Sequence, residues 1–141
     1  MPRPLVPDTT EVIRAIRAPR SPLLDALARG QVWFSSVVAC ELYAGTRSIE
    51  ERRLLDRLVR GATRGGRLLA PTSDEWVLAG TLIARRIRFD GPMRPRDHLA
   101  DVLIVVSAAR IAADIVTANR RHFDAWASLA RRSGLDVAVA D

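Results

Sequence analysis

Four stretches of this chain carry side chains able to do ionic or hydrolytic chemistry. They are Asp8 with Thr9 and Thr10, Glu41 inside an apolar run, Asp101 at the head of another, and Thr117, Asn119 and His122 around a short polar stretch. Three carboxylates gathered in one cleft repel each other, and the usual remedy is a hard divalent cation with oxygen ligands, Mg²⁺ or Mn²⁺. Such an ion can orient a water and stabilise charge at a phosphodiester. Each residue also has an ordinary reading. Asp101 is favoured near a helix start by the macrodipole, and Glu41 could lie on the solvent face of an amphipathic helix. His122 could pack beside Phe123 with a local hydrogen bond.

These side chains meet only if the elements between them bring them together. Residues 101–112 hold Val102, Leu103, Ile104, Val105 and Val106, continued at helical spacing by Ala108, Ala109, Ile111 and Ala112, which predicts a helix buried on most sides. Residues 114–117 read as a short strand and 118–123 as the loop leaving its carboxyl end, where open α/β sheets place ligand sites. Residues 4–10 read as a strand ending at Asp8, followed by a helix carrying Val12, Ile13 and Ile16. Pro7 has no amide donor and argues for an edge position. A second helix is expected over 21–29, a strand over 31–35, and a helix from Ser36 stopped by Gly45. Residues 48–58 read as an amphipathic helix with a solvated charged face. Residues 61–66 read as a loop, 67–70 as a strand, 73–83 as a capped helix and 89–96 as a loop. A helix over 124–132 and a strand over 135–139 complete the pattern. Strands alternate with helices throughout, so the expected fold is α/β, a three-layer α/β/α sandwich with a mostly parallel central sheet, as one domain over 1–141.

All 22 basic residues are Arg, and the net charge is +6. That excess suits a polyanionic partner such as nucleic acid, although biased codon usage gives the same composition. No apolar run reaches the ~18 residues of a spanning helix, and the amino terminus lacks the apolar core of a secretory signal, so no membrane is expected and the location reads as cytoplasmic. Cys40 has no neighbouring Cys or His and is expected to be a small buried hydrophobe. Gly65-Gly66 has neither Walker nor dinucleotide-binding spacing.

In order along the chain stand Val6-Pro7-Asp8-Thr9-Thr10, Ser35-Ser36-Val37-Val38-Ala39-Cys40-Glu41-Leu42-Tyr43-Ala44-Gly45, Ala100-Asp101-Val102-Leu103-Ile104, and Val116-Thr117-Ala118-Asn119-Arg120-Arg121-His122-Phe123. Together they resemble the PIN domain of VapC-type toxin ribonucleases over nearly the whole chain. The resemblance implies a Mg²⁺- or Mn²⁺-dependent endoribonuclease of a toxin-antitoxin pair, neutralised by a cognate VapB-like antitoxin and commonly a homodimer. It matches Asp8, Glu41 and Asp101 to the family's three metal-binding acids, Thr10 and Thr117 to the hydroxyls beside them, and Asn119 to the polar position after the fourth strand. Many members carry a fourth acid where Asn119 or His122 stands, and this chain has none there. Thr10 also stands where Asn or Ser is common, and Pro7 where an apolar residue is expected. Arg85, Arg86 and Arg88, Arg94 and Arg96, and Arg120 and Arg121 flank the site-bearing stretch and are the candidates for RNA backbone contacts. The helices around 54–58 and 76–83 are candidates for a homodimer or antitoxin contact. Two alternatives stay open: a PIN-like domain that binds RNA or a partner without cutting, and an unrelated α/β phosphohydrolase using Asp8 as nucleophile, against which stands Thr10 where a second Asp is usual.

Overall fold

The computed structural model describes residues 2–18 and 20–141, and every strand pairing in it is parallel. Strand β1 (Leu5–Pro7) pairs with β4 (Asp114–Val116), which pairs in turn with β5 (Ala138–Val139). Strand β2 (Phe34–Ser35) pairs with β3 (Leu68–Leu69). A bridge between Leu5 and Val32 joins the two ladders, with the Leu5 amide donating to Gln31 O and the Trp33 amide to Leu5 O. The order across both is therefore β3-β2-β1-β4-β5, with β1 in the middle.

Pro7 thus lies in a central strand, not at an edge, and the ladder explains why. The Asp114 amide bonds Pro4 O, and the Asp8 amide bonds Val116 O, so even-numbered residues face β4 and odd-numbered ones face β2. The missing Pro7 donor points to the side where pairing ends after the Leu5 bridge, so no ladder bond is lost.

Among the described residues seven helices connect the strands: α1 (Thr9–Arg17), α2 (Pro22–Ala28), α3 (Ser36–Ala44), α4 (Ile49–Arg64), α5 (Ser73–Asp90), α6 (Pro95–Arg110) and α7 (Arg120–Arg132). The strand order reverses direction at β1. With right-handed crossovers this puts helices on both faces of the sheet. Asp8, Ser21, Ser35, Ser48 and Thr72 cap α1 to α5 through their side chains, and Thr72 with Glu75 forms a full capping box. Helix α6 buries Val102 through Ala108 without a break, as its apolar run predicts.

Several boundaries move, and α6 begins at Pro95, within the expected loop. Helix α4 continues through Gly61 to Arg64, because Leu55 and Ala62 face the core and outweigh the roughly 1 kcal/mol that a mid-helix glycine costs. Helix α5 continues to Asp90, where Arg86 lies against Trp126 and pairs with Asp90 at 3.3 Å. Helix α7 starts at Arg120, so His122 stands in a helical first turn and not in a loop. Strand β5 shrinks to two residues. Among the described residues no helix is long and apolar enough to cross a membrane.

Cys40 corrects its expectation. Helix α3 buries Val38, Ala39 and Leu42, and this phase turns Cys40 and Glu41 outward, leaving the thiol exposed. Of the apolar residues expected at a contact surface, Leu55, Leu82 and Ile83 are buried in the core. The exposed ones on α5 are Trp76 and Val77.

Candidate active site at the carboxyl ends of the strands

Asp8 leaves β1 at its carboxyl end and caps α1, so its backbone is placed by sheet and helix together. Its side chain is 5% exposed. One carboxylate oxygen, Oδ1, accepts from the Glu11 amide at 2.8 Å, and Oδ2 accepts from Thr117 Oγ1 at 2.6 Å. Thr117 follows β4, and its hydroxyl oxygen also accepts the Asn119 amide at 2.9 Å. One hydroxyl therefore links the ends of β1 and β4, which parallel pairing already holds side by side. Asn119 is exposed and caps α7 without a side-chain hydrogen bond.

Glu41 joins this corner through Thr9, whose Oγ1 donates to Glu41 Oε1 at 2.7 Å. Thr9, not Thr10, is thus the hydroxyl beside the acids. Thr9 is the first residue after the Asp8 cap, and helical phase carries Thr10 away into solvent. The hydroxyl pair was legible in the sequence; which one faces Glu41 depends on where the helix begins.

Asp101 is the seventh residue of α6 and half-buried. Its Oδ2 lies 2.7 Å from His122 Nε2, a hydrogen bond between the two side chains. The His122 ring packs edge-on to Phe123, centroids 5.6 Å apart, as expected from its neighbour. Its hydrogen bond is not local, however, because α7 crosses α6 and brings it to a residue 21 positions earlier. Behind it the His98 ring is 5.9 Å away, Trp126 lies 5.8 Å beyond His98, and the Arg86 guanidinium stacks 4.4 Å over Trp126.

The fit to a hard cation can be judged from the donors. In a chain with 22 arginines, no Arg of the described residues makes an ion pair with Asp8, Glu41 or Asp101. Their partners are hydroxyls, an amide and an imidazole, which leave anionic oxygen lone pairs available. In kind the donor set suits Mg²⁺ or Mn²⁺. In grouping it falls short: among the described residues no three of His, Cys, Asp and Glu form a cluster able to hold a metal ion. The carboxylates of Asp8 and Glu41 are held by Thr117 and Thr9, and that of Asp101, a second corner, by His122, while Glu41 lines one groove with Ala100 and Leu103 of α6.

The candidate RNA-contacting arginines divide similarly. Arg86 is committed to Trp126 and Asp90, Arg85 to Ser133, and Arg120 to the Ala140 carbonyl and Asp141 at 3.6 Å. Arg94, Arg96 and Arg121 are exposed. Arg96 borders a groove with Val37, Cys40, Glu41, Trp76 and Leu103.

No protein-family profile and no curated protein matches the sequence. Solved structures do. FitAB bound to an IR36 DNA fragment aligns with a TM-score of 0.66 and 18% identity, over 96% of this chain and 93% of that one. FitAcB from Neisseria gonorrhoeae aligns with a TM-score of 0.64 and 20% identity, over 97% and 96%. DNA-bound VapBC from Salmonella typhimurium aligns with a TM-score of 0.63 and 22% identity, over 86% and 90%. The chain has the PIN-like α/β fold of these structures.

Proposed function

We propose that this protein is the toxin of a toxin-antitoxin pair, a Mg²⁺- or Mn²⁺-dependent endoribonuclease held inactive by a VapB-like antitoxin. The observation that carries the reading is the corner of Asp8, Thr117, Thr9 and Glu41, which draws β1, β4, α1 and α3 together at the strand ends and leaves two carboxylates without an arginine partner. The relatedness of fold to FitAB and VapBC complexes supports the toxin reading and the antitoxin partner. Homodimers are part of the same proposal.

Asp8, Glu41 and Asp101 would hold the cation, which when bound supplies water orientation and charge neutralisation at the scissile phosphate. The chain's own residues do the positioning. Thr117 and the Glu11 amide fix both oxygens of Asp8, Thr9 fixes one oxygen of Glu41, and His122 fixes one of Asp101. Donors of this kind orient anionic ligands, and their loss typically costs ~10- to 100-fold in metal affinity or activity. The exposed Arg94, Arg96 and Arg121 supply positive charge for the RNA backbone.

A second reading, a PIN-like domain that binds RNA or a partner without cutting it, is favoured by the absence, among the described residues, of a three-ligand cluster able to hold a metal ion. The two part in one experiment, in which the purified protein is incubated with a defined RNA in Mg²⁺, in Mn²⁺ and in excess chelator. Cleavage that chelator abolishes and added antitoxin suppresses supports the nuclease. RNA binding without cleavage in either metal selects the second reading.

A further inference from the structure

Helix α4 carries the least neutralised positive surface of the molecule. Arg53, Arg57, Arg60 and Arg64 are all exposed, and none takes a hydrogen-bond or ion-pair partner among the described residues. Steps of four, three and four residues at 3.6 per turn keep these side chains within about 60° of one another, a row of about 16 Å. Buried Leu55 and Ala62 lie on the opposite side of the helix. The row faces outward because α4 is locked in roll: Tyr43 donates to Asp56 Oδ1 at 2.7 Å, and the Arg52 guanidinium, 3.5 Å from Asp56, stacks 5.2 Å over the Tyr43 ring.

Composition bias accounts for arginine in place of lysine but not for this alignment. Like charges three and four residues apart on a helix repel, and no acid follows Asp56 until Asp74 to relieve them. Two acids stand beside the row, Asp56, already bonded by Tyr43 and Arg52, and Glu50 at its start, three residues before Arg53. A polyanion laid along the helix removes that repulsion. At about 3.4 Å per nucleotide of stacked strand, the row runs beside roughly five phosphates. It also starts near the site, since Glu51 and Leu55 of α4 border the same cavity as Glu41 of α3.

We propose that this arginine row binds the phosphate backbone of single-stranded RNA and guides it along α4 toward the Glu41 corner. The proposal deepens the ribonuclease reading and rests on it for the identity of the polyanion.

The test measures binding of a fluorescent oligouridylate by anisotropy in excess chelator, so that cleavage plays no part, across a salt series. Replacing Arg53, Arg57 and Arg60 by Gln should weaken binding about tenfold or more at moderate salt. It should flatten the plot of log affinity against log salt by about 2, at ~0.7 per lost phosphate contact. The same three positions as Lys should keep the wild-type slope. Gln at Arg20, Arg29 and Arg132, exposed elsewhere with the same loss of charge, should change it far less. Circular dichroism confirms that each variant is folded. An α4 Gln variant indistinguishable from the control triple overturns the proposal. So does a variant that loses duplex DNA binding while keeping RNA binding. Metal-dependent cleavage by wild type alongside an unaffected slope would remove the α4 surface and leave the nuclease standing, whereas slope loss without any cleavage would do the reverse.

Discussion

The two acidic corners are built differently. Asp8 and Glu41 are held by hydroxyls of Thr117 and Thr9, short side chains at strand and helix ends. Asp101 is held by an imidazole that belongs to a packed series of rings, His122 against Phe123 and His98, and His98 against Trp126. A hydroxyl can rotate toward another acceptor, whereas the His122 ring is wedged between aromatic neighbours. The Asp101 corner is therefore the more rigidly preset of the two.

Four experiments break or sharpen that contrast. The greatest loss should come from Asp101→Asn, which removes full charge from the preset corner. RNA cleavage should fall further than the ~10- to 100-fold expected for His122→Ala, and further than for Asn119→Ala, across a Mg²⁺ titration. Near wild-type cleavage by Asp101→Asn beside a dead His122→Ala would make the site histidine-centred. Next, Trp126→Ala deletes a fully buried ring beneath the imidazole series and should cost about 3–5 kcal/mol in denaturant unfolding. Its effect on cleavage should follow that of His122→Ala where the protein remains folded. A smaller effect is expected of Thr117→Val, about 1 kcal/mol for the hydrogen bonds to Asp8 and Asn119, with a cleavage loss below that of His122→Ala. A loss equal to or above that of His122→Ala would show the hydroxyl corner to be the stiffer one.

The smallest effect serves as a control outside both corners. The hydrogen bond from the Tyr43 hydroxyl to Asp56 holds the Asp56 carboxyl below its ordinary range and pushes the Tyr43 phenol above its own. Since the Asp56 value is lowered on folding, its contribution is present above the ordinary carboxylate range and is lost as pH falls through the depressed folded value. Since the Tyr43 value is raised, its contribution is present below the ordinary phenol range and is lost as pH rises through the folded value. Thermal melts of Tyr43→Phe should differ from wild type least at those two extremes.

Local patterns carried much of the fold. The unbroken apolar run of α6, the Ser and Thr caps and the alternation of strand and helix were legible because each depends on residues a few positions apart. So was the place of Asp8, at the junction of a strand end and a helix start, whereas Asn119, expected within a loop, immediately precedes α7, and Asp101, expected at a helix start, is the seventh residue of α6. Tertiary structure decided the rest, where pairing across the chain or helical phase outweighs local signal. Pro7 reads as an edge residue until its missing donor is seen to face the side on which no ladder bond is made. Cys40 reads as core until the phase of α3 turns it outward, and the same phase choice exchanges Thr10 for Thr9 at Glu41. Arg86 and Arg120 read as free charges until Trp126 and the carboxyl terminus claim them. The imidazole of His122 reaches Asp101 only because α6 and α7 pack side by side, bringing together residues whose separation along the chain holds no periodic signal.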